Sequence, residues 1–144
     1  CGNGGSAADC QHVACELVGR FMLDRKALPA VALTTDTSIL TSVANDYDYE
    51  EVFARQVAAL VREGDLLLAI STSGNSTSVI KAAVVAHQHN AKVVALTGAG
   101  GGRLKELADC LIAVPGETAP RIQEVHITLL HIICALIERA LYKD

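Results

Sequence analysis

His12 and Glu16 stand four residues apart in QHVACE, so on a helix an imidazole and a carboxylate share one face. Near the other end of the chain, RIQEVHITLLH sets Gln123, Glu124, His126 and His131 as polar islands on an apolar stretch. Gln123 and His131 are eight residues apart, about 80° round a helix of ~3.6 residues per turn; Glu124 and His131, seven apart, align better. Spacing does not choose between the amide and the second carboxylate. Two histidines, a carboxylate and an amide suit a divalent metal. The same groups suit an acid and a base acting on one substrate. Each histidine taken singly reads as a hydrogen-bonded structural side chain, and only their joint placement argues for a site.

A second chemistry lies in DLLLAISTSGNSTSVI, where an apolar run gives way to serine, threonine and asparagine. Ser71, Thr72, Ser73 and Ser76 offer four hydroxyls around Gly74, with no lysine or arginine among residues 71–78. A strand ending here and a helix opening here would add unpaired backbone N–H groups and the positive end of the helix dipole. Together these make a cradle for a phosphate monoester built from neutral donors. An ordinary capped turn needs one such hydroxyl rather than four. A nucleotide P-loop needs GxxxxGK[ST], and the lysine is missing.

GNGGSA, residues 2–7, is another glycine-rich loop. It matches the dinucleotide pattern GxGxxA only formally, because the candidate acid Asp36 lies farther on than the usual ~20 residues. It reads instead as a wall of the same crevice, close to a sugar. Asn45 and Asp46 in VANDYDY suit either a turn or contacts to sugar hydroxyls. His87 and His89, at a helix end, read as solvated partners of the helix dipole.

These groups need elements to hold them. The chain has 144 residues, is 51% hydrophobic and only 3% aromatic. That composition suits one α/β domain with buried parallel strands. Helices are predicted over residues 7–21 with Ser6 as N-cap, briefly after Asp36, over 49–64 up to Gly64, over 76–89, at GRLKELA and over 119–142. Strands are predicted at LPAVALTT (residues 28–35), LLLAI, AKVVALTG and CLIAVP. The alternation implies right-handed crossovers and an open parallel sheet. Ligands in such sheets bind beyond the carboxyl ends of the strands, where STSGNS falls.

The net charge of −4 and the lack of a basic run give no footprint for nucleic acid. No signal peptide and no bilayer-length apolar run is read, so a cytoplasmic protein is expected. The five cysteines form no CxxC pair and read as buried thiols. The chain opens without methionine on a loop, so a preceding segment is expected. The last predicted helix is apolar nearly all round; one face suits the sheet and the rest a second subunit.

CGNGGSAADCQH, VALTTDTS, ANDY, LLLAISTSGNS, VVALTG and RIQEVHITLLH closely resemble, in order, the phosphoheptose isomerases of the sugar isomerase (SIS) domain superfamily. The resemblance implies a single SIS domain over residues 1–144. Its fold would be a Rossmann-like three-layer α/β sandwich around a parallel sheet. The family's N-terminal helical segment and first strand are missing from this sequence. The resemblance also implies a homotetramer and conversion of sedoheptulose 7-phosphate to D-glycero-D-manno-heptose 7-phosphate, the first step of ADP-heptose supply for lipopolysaccharide.

By the same resemblance, one zinc ion per subunit is held by His12, Glu16, Gln123 and His131, and substrate contacts fall to Asn3, Gly4, Gly5, Glu16, Asn45, Asp46, Ser71, Thr72, Ser73, Ser76 and Gln123. Glu16 is assigned as the base at carbon and His131 as the partner acid/base. Cys10 and Cys15 depart from the expected small or aromatic residues and read as packing variation. A relative with the same fold, the replication initiator-associating protein, is a tetrameric binding module without catalysis. That alternative predicts loss of the catalytic groups, all four of which stand in this chain.

Overall fold

The computed structural model describes residues 1–142 and folds into three layers. The middle layer is a parallel sheet of β1 (Leu66–Ser71), β2 (Lys92–Gly98) and β3 (Cys110–Val114), in that order. Leu66 pairs with Lys92 and Ser71 with Thr97; Val94 pairs with Cys110 and Gly98 with Val114. The strand interiors are nearly continuously buried, as expected for strands covered on both faces: Ala69, Ile70, Val93, Ala95 and Leu96 are all fully enclosed.

One outer layer carries α2 (Thr37–Asp46), α3 (Ala54–Leu60) and α4 (Thr77–Gln88). The stripe Val79, Ile80, Ala82, Ala83 and Ala86 of α4 packs there with Val52, Phe53 and Val57. The other layer pairs α1 (Gly5–Val18) with α5 (Ala119–Tyr142) over a separate core of Cys10, Val13, Ile70, Leu96, Leu130 and Cys134. Buried positions on α5 recur every fourth residue: Ile122, His126, Leu130, Cys134 and Glu138.

Several expectations are corrected. Residues 28–35 form no strand. The Leu33 carbonyl accepts from the side chain of Gln56, and the Thr34 carbonyl from Gln11, so neither joins a ladder. An apolar cleft of about 540 Å³, lined by Leu33, Leu66, Leu67 and Leu130 among others, separates the segment from β1. The upper edge of β1 is taken by Cys1 and Gly2: Ile70 N–H donates to the Cys1 carbonyl at 2.9 Å, and Gly2 bridges Ile70 in parallel sense.

The helix predicted over 49–64 is broken into a 3-10 turn, Tyr49–Glu51, and the seven residues of α3. α1 begins at Gly5 behind Gly4, whose φ of 56° closes the turn, so Ser6 lies within the helix rather than capping it. The same helix stops at Val18 rather than continuing to residue 21.

Cys1, Cys10 and Cys134 are buried as expected, but Cys15 and Cys110 are exposed. α5 is, contrary to the sequence expectation, long and apolar enough to cross a bilayer by length and mean hydropathy. Here it instead lies along the sheet, with His126 and Glu138 buried against hydrogen-bond partners in the domain.

Candidate active site

α1 and α5 run side by side in the same direction, which brings their polar residues into register. At the start, Gly5 abuts Gln123: a Cβ built on Gly5 would lie 2.6 Å from Gln123 Nε2. Two turns on, His12 meets His131, with Nε2 to Nε2 at 3.0 Å. Glu16, one turn after His12, places Oε1 3.2 Å from His12 Nε2. The donor atoms of His12, Glu16 and His131 all lie within 4.8 Å of one another. Glu124 turns away to pair with Arg121 at 2.9 Å on the exposed side of the helix. Geometry thus separates the two side chains that spacing left equivalent.

Two facing imidazole nitrogens and a carboxylate oxygen suit a shared cation. With metal–ligand bonds of ~2.0–2.1 Å, neighbouring vertices of a tetrahedron stand about 3.3 Å apart. The observed 3.0 and 3.2 Å edges match that size. Phe21 stacks on the outer side of His131, ring centroids 5.6 Å apart and planes 24° from parallel.

Beneath this cluster lies a buried polar layer that sequence reading did not assign. His126 is fully enclosed and its Nε2 is 3.0 Å from the Thr97 carbonyl at the end of β2. A carbonyl only accepts, so Nε2 carries a proton. Among the described residues, Nδ1 of His126 and Oδ2 of Asp9 are buried without a hydrogen-bond partner. The helix register sets Asp9 level with His126. Burial pushes its carboxyl up from the ordinary value, against the pull of His126 and His12. Both residues lie on the buried side of a helix, the signal available in the sequence.

The hydroxyl loop stands at the top of β1. Ser71 ends the strand, Thr72, Ser73 and Gly74 turn, and Ser76 precedes the first residue of α4. Gly74, at φ 65°, is required by packing: a Cβ there would overlap the Gly101 carbonyl. Ser73 is tied down by the Asn75 N–H at 3.1 Å, while Ser71 and Ser73 hydroxyls stand 3.5 Å apart. Asn3 joins the glycine loop to this one, its Nδ2 donating to Ser76 Oγ at 2.9 Å and Ser78 Oγ at 3.0 Å. The Tyr49 hydroxyl fixes Asn3 from the other side by donating to Oδ1 at 2.8 Å.

The loop residues Asn3, Gly4, Gly5, Ser71, Thr72, Ser73 and Ser76 therefore form one connected rim with Gln123. Among the described residues, Asn45 and Asp46 make no hydrogen bond to it. They sit exposed at the end of α2, where Asn45 Nδ2 donates to Asp46 Oδ1 at 2.8 Å. His87 is not simply solvated but reaches Asp109 at 3.1 Å, beside the Lys92 ion pair.

Comparison with known proteins gives the geometry a family. Residues 1–98 match the SIS domain family. The chain is 56% identical over 142 residues to the phosphoheptose isomerase of Akkermansia muciniphila, covering 99% of this chain and 75% of that protein. It is likewise 56% identical to the phosphoheptose isomerase of a Roseiflexus species, over the whole of this chain and 73% of that one. The solved phosphoheptose isomerase from Neisseria gonorrhoeae superposes with a TM-score of 0.90 at 52% identity, covering 96% of this chain and 73% of that chain. The one from Francisella tularensis gives 0.92 at 42% identity, with 96% and 74% covered. By identity over almost its full length and by a shared three-layer fold, the chain belongs to the phosphoheptose isomerase family of SIS-domain proteins.

Proposed function

We propose that the chain interconverts sedoheptulose 7-phosphate and D-glycero-D-manno-heptose 7-phosphate, moving a proton between adjacent carbons through an enediol. The observation that carries this reading is the convergence of His12, Glu16 and His131 from two helices in a chain of this family. Glu16 turns Oε1 toward His12. Its other oxygen is the one assigned to take the proton from carbon. His131 gives and takes the proton at the neighbouring oxygen, a division of labour that general acid–base catalysis rewards by about 10²–10⁴-fold. The phosphate is assigned to Ser71, Thr72, Ser73 and Ser76 with the first N–H groups of α4. Holding that remote anion orients the reacting carbons. Asn3, Gly4 and Gly5 line the sugar between the two. Asn45 and Asp46 join the reading only as exposed groups of the α2 end, reaching a substrate from outside this rim.

His12, Glu16, Gln123 and His131 would hold one zinc ion; all four are suitable donor types, and the spacing of the His12, Glu16 and His131 atoms fits it. A divalent ion bound there polarises substrate oxygens and stabilises negative charge as it develops. The proposal extends to a homotetramer and a cytoplasmic location. Support for assembly comes from α5, where Val125, Ile132 and Leu136 remain 41%, 49% and 55% exposed on a face turned from the sheet.

Incubating the protein with sedoheptulose 7-phosphate and following the aldose product by NMR tests the reading. Conversion that depends on Glu16 is expected. Binding of the phosphosugar without any aldose would transfer the chain to the non-catalytic binding modules of this fold.

A further inference from the structure

Glu138, seven residues beyond His131 on α5, is buried yet charged, with a side chain 3% exposed. Its carboxylate accepts from four donors: the backbone N–H groups of Phe21 at 3.0 Å, Met22 at 2.9 Å and Leu23 at 3.0 Å, and Arg25 Nε at 3.0 Å. Arg25, equally buried, also ties down the end of α1, besides donating Nη1 to the Lys26 carbonyl at 3.1 Å. Nη2 donates to the Glu16 carbonyl at 2.7 Å and Nη1 to the Leu17 carbonyl at 2.8 Å. These are two of the last four carbonyls of a helix, which have no partner within it. The segment after α1 is thereby folded back across α5.

Two results of this fold-back reach the candidate site. α1 is terminated immediately beyond Glu16, by a charge that favours the negative end of the helix dipole. Phe21, hung from Glu138 by its own N–H, is the residue stacked on His131. One buried carboxylate therefore governs the backbone under Glu16 and the ring behind His131, without touching either side chain.

We infer that Glu138, acting through Arg25 and Phe21, is a positioning residue for the isomerisation. It holds the proposed base and the proposed acid/base partner at their working separation. The inference rests on the isomerase reading for its consequence in rate, and on the packing alone for its consequence in His131. A glutamine at 138 keeps size but offers one acceptor oxygen where four donors converge, so the clasp loosens and Phe21 leaves its stack.

The test compares wild type, Glu138→Gln, Phe21→Leu and Phe21→Tyr in the whole chain. The histidine ring protons are read by NMR, and kcat and KM are measured with sedoheptulose 7-phosphate. Phe21→Leu and Glu138→Gln should shift the His131 ring resonances in the same sense, since each removes the stacked aromatic, while Phe21→Tyr keeps them near wild type. In rate, the first two should lose roughly ten- to a hundredfold in kcat with KM little changed, because misplacement affects the chemistry and leaves the phosphate loop intact. Phe21→Tyr should restore kcat. Unmoved His131 resonances in a folded Glu138→Gln protein would overturn the inference. So would wild-type kcat in Phe21→Leu, a variant that keeps an apolar group in place and does not depend on the buried charge. A wild-type chain with no turnover would strike the isomerase reading instead, and the resonances would still decide whether Glu138 positions His131.

Discussion

Glu16 and Glu138 lie at the same interface, between α1 with the segment that follows it on one side and α5 on the other, yet they are treated oppositely. Glu138 is enclosed and surrounded by four donors, which outweigh the upward push of burial and hold its carboxyl down at about 2. Glu16 is partly open to solvent and faces a histidine that faces another histidine. A saturated carboxylate has no lone pair to lend and does structural work. An unsaturated one, crowded by imidazoles, still has lone pairs to offer. The contrast shows that counting partners distinguishes a buried ion pair from a site more reliably than burial does.

The comparison breaks most sharply at the open end. Glu16→Gln and His131→Ala should each lower kcat by about 10²–10⁴-fold while leaving the melting curve close to wild type. A turnover assay beside a thermal melt checks both halves. A variant that loses stability more than rate would move Glu16 into the class of Glu138. Treatment with a chelator, followed by zinc, should remove and then restore turnover, read with metal analysis of the same sample.

The saturated end should respond in the reverse manner to truncation. Glu138→Ala leaves Arg25 buried without its counter-charge and should give the largest fall in melting temperature of these variants. Because the folded carboxyl sits below its unfolded value of about 4.5, its contribution is complete above pH ~4.5 and drains away as the pH falls toward ~2. Acid unfolding of wild type against Glu138→Gln should show this: the variant's stability should change less across that window. The smallest effect is expected at the hydroxyl loop. Ser76→Ala should weaken phosphosugar binding by roughly fivefold, the worth of about one hydrogen bond, with kcat little altered. Isothermal titration with the substrate measures it, and unchanged affinity would move the phosphate elsewhere.

Much of this was legible in the residues. His12 and Glu16 announce themselves by spacing, and the strand–loop–helix run around Ser71 by composition, because both depend on local geometry. The choice of Gln123 over Glu124 was not legible, since adjacent helical positions differ only in what stands opposite them. Gly5 stands opposite one and Arg121 beside the other. Residues 28–35 have the composition of a strand, but a strand needs a neighbour, and the segment lies across an apolar cleft from β1. Glu138 and Arg25 were missed because their pairing spans 113 residues. A faint signal existed: Glu138 falls on the same every-fourth-residue stripe as Ile122, His126, Leu130 and Cys134, so a charge was due to be buried and therefore due a partner.

The contact between Gly5 and Gln123 has an evolutionary corollary. A methyl group at position 5 would press on the tip of a long side chain rather than on rigid backbone. The helices could keep their places while the amide swung aside. Glycine at that position would then be selected for the sake of an amide 118 residues away, and its replacement by alanine would displace the proposed Gln123 ligand from an otherwise intact protein.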